Sequence, residues 1–97
     1  MPCTVLVCGF FGDTGKGKMI SYLAVKDKTA VTARAGVGPN AGHTVVFNGK
    51  TYKLRMLPSA FTSPTCRLLI GPGVLVNPNI FVDEIKVTGT QGRVGID

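Results

Sequence analysis

Short apolar runs alternate with glycine-rich and polar stretches along the chain. The first apolar run, residues 4–8, is rich in β-prone side chains and stops at Gly9, which predicts a buried strand that leads into a loop. Beyond that glycine-rich loop, apolar residues recur at helical spacing between residues 18 and 25 and predict a helix. The chain is therefore expected to open as strand, glycine loop and helix.

A further strand and a hairpin are predicted in the middle of the chain. Residues 30–33 predict a strand that runs into the loop 36–42, where three glycines and a proline disfavour regular structure. The pair Asn48-Gly49 lies between two β-prone runs, 44–47 and 51–54. An Asn-Gly pair in this position is a strong signal for a β-hairpin.

The last third of the chain predicts one more strand and a second helix. The strand is expected over residues 66–70, before a Gly-Pro-Gly turn. Asn77 is followed by proline, which predicts the N-cap and first residue of a helix over residues 78–87. Strand, loop and helix units combined with a hairpin indicate the α/β class, with a mixed, mostly parallel sheet and flanking helices.

Composition narrows the possible functions. The 97 residues are 44% hydrophobic and 16% charged, which indicates one globular domain. No apolar run approaches the roughly 18 residues of a membrane span and the start lacks the basic segment of a signal peptide, so we expect a cytoplasmic protein. Eleven basic residues give a net charge of +6 but form no cluster, which disfavours nucleic-acid binding and favours a site for small polyanions. Three cysteines without metal-ligand spacing are expected to be structural thiols: Cys3, Cys8 and Cys66.

The first glycine loop carries a phosphate-binding pattern. Residues 12–18, GDTGKGK, satisfy G-x-x-x-x-G-K between a predicted strand and a predicted helix, as in P-loop NTPase-like folds. Backbone N–H groups of such a loop surround phosphate oxygens, and Lys16 and Lys18 add charge unless they only form a solvated helix start. Met19 stands where a serine or threonine usually reaches Mg²⁺, so another oxygen must hold a metal. Asp13 is the candidate ligand, with proton acceptance or a helix-dipole role as alternatives.

The single histidine, His43, follows the second glycine-rich loop. If the two loops meet at the ends of neighbouring strands, Asp13 and His43 would flank one bound group and share acid and base duties. A purely structural role for the histidine is the alternative. Asn40 and Thr44 could hydrogen-bond the same ligand or serve as turn and strand residues.

Several motifs in the same order resemble one enzyme family. GDTGKGK at residues 12–18 and NAGHT at residues 40–44 are similar to the paired loops of adenylosuccinate synthetases. The likeness continues through GKTYKL at 49–54, LPS at 57–59 and IGPGVLVNP at 70–78, and so covers nearly the whole chain.

The resemblance implies a GTP-dependent ligase that joins IMP to L-aspartate, with Mg²⁺, through a 6-phosphoryl-IMP intermediate. It implies that Asp13 takes the N1 proton of IMP and binds the metal with the Gly42 carbonyl, and that His43 acts as an acid on the transferring phosphoryl group. The GTP and phosphate contacts it implies are Gly12, Asp13, Thr14, Gly15, Lys16, Gly17, Lys18, Gly42, His43 and Thr44. The IMP contacts it implies are Asp13, Thr14, Gly15, Lys16, Asn40, Ala41, Gly42 and His43.

The chain departs from the family pattern in three ways. Thr14 replaces the usual acidic residue, and Val37 and Pro39 alter the second loop. The family's chains run to several hundred residues, so residues 1–97 are expected to be the N-terminal part of a single truncated domain, inactive alone, whose full-length form is a homodimer. A non-catalytic nucleotide-binding or anion-binding module is the alternative.

Overall fold

A computed structural model describes residues 3–7, 9, 15–36 and 42–97 of the chain. Two α-helices and one short 3₁₀ helix occur in it: α1 (Lys16–Lys26), the 3₁₀ helix (Ser59–Thr62) and α2 (Pro78–Thr88). The strands are β1 (Val31–Arg34), β2 (His43–Phe47), β3 (Lys50–Leu54), β4 (Arg67–Ile70) and β5 (Val94–Ile96). The α/β class predicted from the sequence is confirmed, as a partial domain.

The described strands form two sheets. Three parallel strands lie in the order β1-β4-β5, with Val31 opposite Arg67 and Leu68 opposite Val94. The β2–β3 hairpin is a separate antiparallel pair in which His43 lies opposite Leu54. The sequence predicted a single mixed sheet. Among the described strands, β2 and β3 pair only with each other, so the hairpin forms a sheet of its own beside the parallel one.

The hairpin and the second helix begin and end where local chemistry predicts. Asn48 and Gly49 both have positive φ, 53° and 77°, as a tight hairpin turn of the Asn-Gly type requires. The Asn77 side chain accepts hydrogen bonds from the N–H groups of Asn79 and Ile80, at 3.1 and 3.3 Å, and so caps α2. Gly89, at φ 66°, ends this helix in the left-handed conformation that favours glycine.

The core lies between α1, the hairpin, the 3₁₀ helix and strand β4. Phe61 is its aromatic centre, with ring centroids 4.9 Å from Tyr52 and 6.2 Å from Phe47 in edge-to-face geometry. The buried cluster consists of Ala24, Val45, Leu54, Leu57, Ala60, Phe61, Cys66 and Leu68. Ala24 of α1 and Val45 of β2 both belong to this cluster, so α1 packs beside the hairpin.

The predicted first strand is wrong for the residues that the structure describes. Residues 4–7 form no strand, and the side chains of Val5 and Val7 are 75% and 82% exposed. The prediction assumed burial on both faces, and no described strand pairs with this run. Cys8, the end of the run, lies outside the described residues.

The two described cysteines differ in environment. Cys66 is fully buried and its sulfur lies 3.2 Å from the Thr32 hydroxyl, as expected of a small core side chain, whereas Cys3 is exposed. Both helices of the described part are too short and too polar to cross a bilayer.

Candidate phosphate-binding site

The first turn of α1 presents backbone N–H groups that the helix itself does not satisfy. Gly15 occupies the N-cap at φ 85°, a conformation that favours glycine, and no described side chain caps the helix. The first intrahelical bond runs from the Met19 N–H to the Gly15 carbonyl at 3.2 Å. By helix geometry the N–H groups of residues 16–18 therefore have no acceptor within α1. This end also carries the positive pole of the helix, and its first turn contains no acidic residue.

The described ends of the two glycine-rich loops lie against each other. A Cβ placed on Gly17 would lie 3.2 Å from the His43 Cβ and 3.1 Å from the Ser59 Oγ. Both separations are tighter than ordinary van der Waals contact, so a glycine allows α1 to approach His43 this closely. Lys16, half-buried, and Lys18, exposed, lie on either side of Gly17. His43 is therefore beside the positive end of a helix.

The remaining predicted site residues divide into two groups. Gly42 and Thr44 are exposed on either side of His43, where β2 begins. The other group, Gly12, Asp13, Thr14, Asn40 and Ala41, lies outside the described residues. The role of Asp13 and the effects of Thr14, Val37 and Pro39 on the site therefore remain predictions.

The imidazole of His43 is held in an asymmetric environment. Its Nε2 atom is buried and has no hydrogen-bond partner among the described residues. The ring also hydrogen-bonds to the backbone of Leu57, a contact that favours the protonated ring and therefore involves a donated N–H. Because Nε2 is unpartnered, Nδ1 is the nitrogen that donates to Leu57.

Several groups determine the charge of His43. Burial is the largest influence and lowers its pKa below the ordinary value, and the nearby Arg34 guanidinium lowers it further. The bond to Leu57 and the Glu84 carboxylate oppose this shift without cancelling it. At neutral pH the ring is therefore uncharged and offers the lone pair of Nε2.

The sequence analysis did not identify Glu84, which holds the Leu57 backbone in place. Glu84 on α2 is only 7% exposed, and its carboxylate accepts hydrogen bonds from the N–H groups of Arg55, Met56 and Leu57 at 3.0–3.1 Å. The Arg34 guanidinium donates to the Arg55 carbonyl of the same segment. A signal was present in the sequence, because Glu84 lies three residues after Phe81 and next to Ile85, on the inward face of a helix.

The donor set predicted for a metal suits a hard cation. A carboxylate at Asp13 and a carbonyl at Gly42 are oxygen ligands, and Mg²⁺ at phosphate sites commonly takes only one or two carboxylates beside phosphate and water. In the part of the chain that the structure describes, no group of three His, Cys, Asp or Glu side chains could hold a metal ion.

The lowered pKa of His43 predicts a pH-dependent stability. The unfolded chain binds a proton at His43 more readily than the folded chain does. The contribution of His43 to stability is therefore fully present above the ordinary imidazole pKa of about 6.5, and it is lost as the pH falls through the pKa of the folded state. The free energy of unfolding in urea should therefore drop more between about pH 7 and pH 5 in the wild type than in His43→Gln. Equal drops in the two proteins would contradict this prediction.

Comparison with known proteins decides the family. A family profile described as adenylosuccinate synthetase matches residues 5–95. The chain belongs to the adenylosuccinate synthetase family. Among similar adenylosuccinate synthetases, that of Methanosphaera stadtmanae is 53% identical over 100 residues, covering 100% of this chain and 29% of the relative. That of Archaeoglobus fulgidus is 47% identical over 97 residues, with coverage of 100% and 29%.

Two solved structures share the fold. Fully ligated adenylosuccinate synthetase from Plasmodium falciparum matches with a TM-score of 0.78 and 32% identity, over 88% of this chain and 20% of that chain. The succinoaminodeoxyadenylate synthetase of cyanophage S-2L, bound to dGMP and to dATP as an energy donor, matches with a TM-score of 0.74 and 30% identity, over 89% and 25%. The chain thus spans less than a third of the length of each of these four proteins.

Proposed function

We propose that residues 1–97 supply the phosphate-transfer end of an adenylosuccinate synthetase and form the N-terminal part of a single domain. The reaction would join IMP and L-aspartate at the expense of GTP, giving adenylosuccinate, GDP and phosphate in the cytoplasm, within a homodimeric full-length protein. The observation that supports this best is the contact of Gly17 with His43. It brings a neutral imidazole next to the first turn of α1, whose N–H groups have no acceptor within the helix.

The first proposed step transfers the γ-phosphoryl group of GTP to the 6-oxygen of IMP. Asp13 takes the N1 proton as the 6-oxygen attacks phosphorus, and the bond from phosphorus to the bridging oxygen of GDP breaks. The N–H groups of residues 16–18 and the two lysines bind the phosphate oxygens, and such fixed charges and dipoles provide most of the catalysis in phosphoryl transfer.

His43 is proposed to contact the phosphoryl group through Nε2. An anion close to the ring favours its protonated form, and the imidazolium donates from both nitrogens. Nδ1 then stays on Leu57 while Nε2 donates to a phosphoryl oxygen. In the second step the aspartate amine attacks C6, the bond from C6 to the former 6-oxygen breaks, and the departing phosphate takes up the proton that the amine loses.

The proposed metal is Mg²⁺, held by the Asp13 carboxylate and the Gly42 carbonyl. When bound, it would neutralise charge on the phosphate oxygens. The chain's own residues provide the remaining positive charge, at Lys16, Lys18 and the start of α1.

A chimera tests the proposal directly. In it, this chain replaces the matching N-terminal residues of the Methanosphaera stadtmanae synthetase, which is 53% identical over the exchanged part. We expect a folded chimera that converts IMP, GTP and aspartate with turnover close to that of the unaltered relative. A chimera that melts cooperatively yet forms no adenylosuccinate would overturn the proposal.

Two added measurements separate the alternatives. Calorimetry on the 97-residue chain with GTP and IMP tests the binding-module reading, which requires measurable affinity together with an inactive chimera. Assays with dGMP and dATP test a substrate choice like that of the cyanophage protein, which is bound to those nucleotides. We expect turnover with IMP and GTP to exceed turnover with that pair.

A further inference from the structure

The segment formed by residues 55–57 connects a buried carboxylate to His43. It follows β3 directly, and its three consecutive N–H groups converge on the two oxygens of Glu84. Met56 and Leu57 are fully buried, so the N–H groups of these two residues depend on a protein acceptor. The orientation of this backbone is therefore set by a side chain from α2.

The same segment also makes hydrogen bonds to Arg34 and His43. The Arg55 carbonyl accepts a hydrogen bond from Arg34, at the end of β1, and the Leu57 backbone bonds to the His43 ring. The N–H and the carbonyl of Leu57 belong to two peptide units that share the Leu57 Cα, so a shift of one also moves the other. The position of Glu84 therefore affects where the imidazole can find an acceptor.

We propose that Glu84 is a positioning residue for His43, because it fixes the Leu57 backbone that receives the Nδ1–H and thereby directs Nε2 toward the phosphate site. The catalytic importance of the direction of Nε2 rests on the proposed function. The hydrogen bond between His43 and the Leu57 backbone does not, and it can be tested without any nucleotide.

The choice of tautomer is the readout. A free neutral imidazole exchanges its proton between the two nitrogens, whereas an acceptor at Leu57 selects Nδ1–H and leaves Nε2 bare. The chain has one histidine, so ¹⁵N spectra of the 97-residue protein contain the two ring signals of a single residue. At about pH 8, where the ring is neutral, we expect the Nδ1–H form to predominate in the wild type.

Three variants separate position from charge. Glu84→Gln keeps one acceptor oxygen and places an NH₂ group against backbone donors, and Glu84→Asp keeps the charge on a shorter arm. Both are expected to lower the ratio of Nδ1–H to Nε2–H by about fivefold, the change that loss of one ordinary hydrogen bond produces. Asp83→Asn, on the exposed neighbour of Glu84, removes a charge from the same turn and should leave the ratio unchanged.

The results that overturn the proposal are distinct. A wild-type ring in the Nε2–H form would mean that Leu57 is not its acceptor. Folded Glu84 variants with the wild-type ratio would show that the carboxylate does not position the ring, and a change in Glu84→Gln without one in Glu84→Asp would assign the effect to charge.

If the variants do not fold, hydrogen exchange on the wild type decides. The amides of residues 55–57 should exchange slowly and together, and fast exchange overturns the proposal. An inactive chimera would refute the proposed function and leave this result standing.

Discussion

Exchanging His43 for glutamine in the chimera is expected to lower the turnover number by about 10²–10⁴-fold, the usual contribution of a positioned acid or base. Glutamine retains a polar group of similar reach but cannot become a cation beside the transferring phosphoryl group. The Michaelis constant for GTP should change little, because the N–H groups at the start of α1 and the two lysines remain. Steady-state kinetics with IMP and aspartate saturating measures both constants.

Asp13→Asn is the companion of that experiment. The amide cannot accept the N1 proton of IMP, so turnover should fall within the same range. Lys50→Gln is the control, since Lys50 lies at the turn of the hairpin, opposite the end that carries His43, and its ammonium lies 5.2 Å from the centre of the Tyr52 ring. Wild-type turnover in His43→Gln would remove the histidine from the chemistry, and wild-type turnover in Asp13→Asn would remove the aspartate.

Local sequence signals predicted the elements that depend on local chemistry. Asn48-Gly49 fixed the hairpin because few other residue pairs adopt two consecutive positive φ angles, and Asn77 before proline fixed the start of α2. The helix predicted between residues 18 and 25 is present as Lys16–Lys26. In each case the residues that determine the structure lie within a few positions of one another.

Elements that depend on distant partners could not be predicted in the same way. Strand β5 has three residues and exists through its parallel pairing with β4, and the 3₁₀ helix is held by Arg93, which donates to the Phe61, Ser63 and Cys66 carbonyls at 2.7–3.1 Å. Residues 4–7 show the converse, because a β-prone run without a described partner strand forms no strand. The site follows the same division. The glycine pattern predicted a helix directly after it, and α1 begins at Lys16 next to Gly15. The route from Glu84 to His43 involves residues tens of positions apart.

Replacing Glu84 by alanine should destabilise the fold by at least about 3 kcal/mol, roughly 1 kcal/mol for each of the three N–H groups that loses its acceptor. The alanine variant no longer bears the cost of burying the Glu84 carboxylate, which is 7% exposed. This gain is offset because the half-buried Arg34 loses the attraction of that negative charge. The expected loss is a large share of the total for a domain of this size, for which about 5–15 kcal/mol is usual.

Thermal and urea unfolding measure this effect, and the melting temperature should fall by about 12 °C or more. Glu84→Gln should lose less than the alanine variant, since its remaining oxygen can still accept from one or two of the three donors. Asp83→Ala is the matched control on the exposed side of the same helix turn and should stay within about 0.5 kcal/mol of the wild type. If Glu84→Ala were as stable as Asp83→Ala, water would be satisfying the N–H groups of residues 55–57, and the buried carboxylate would not be what holds that segment against His43.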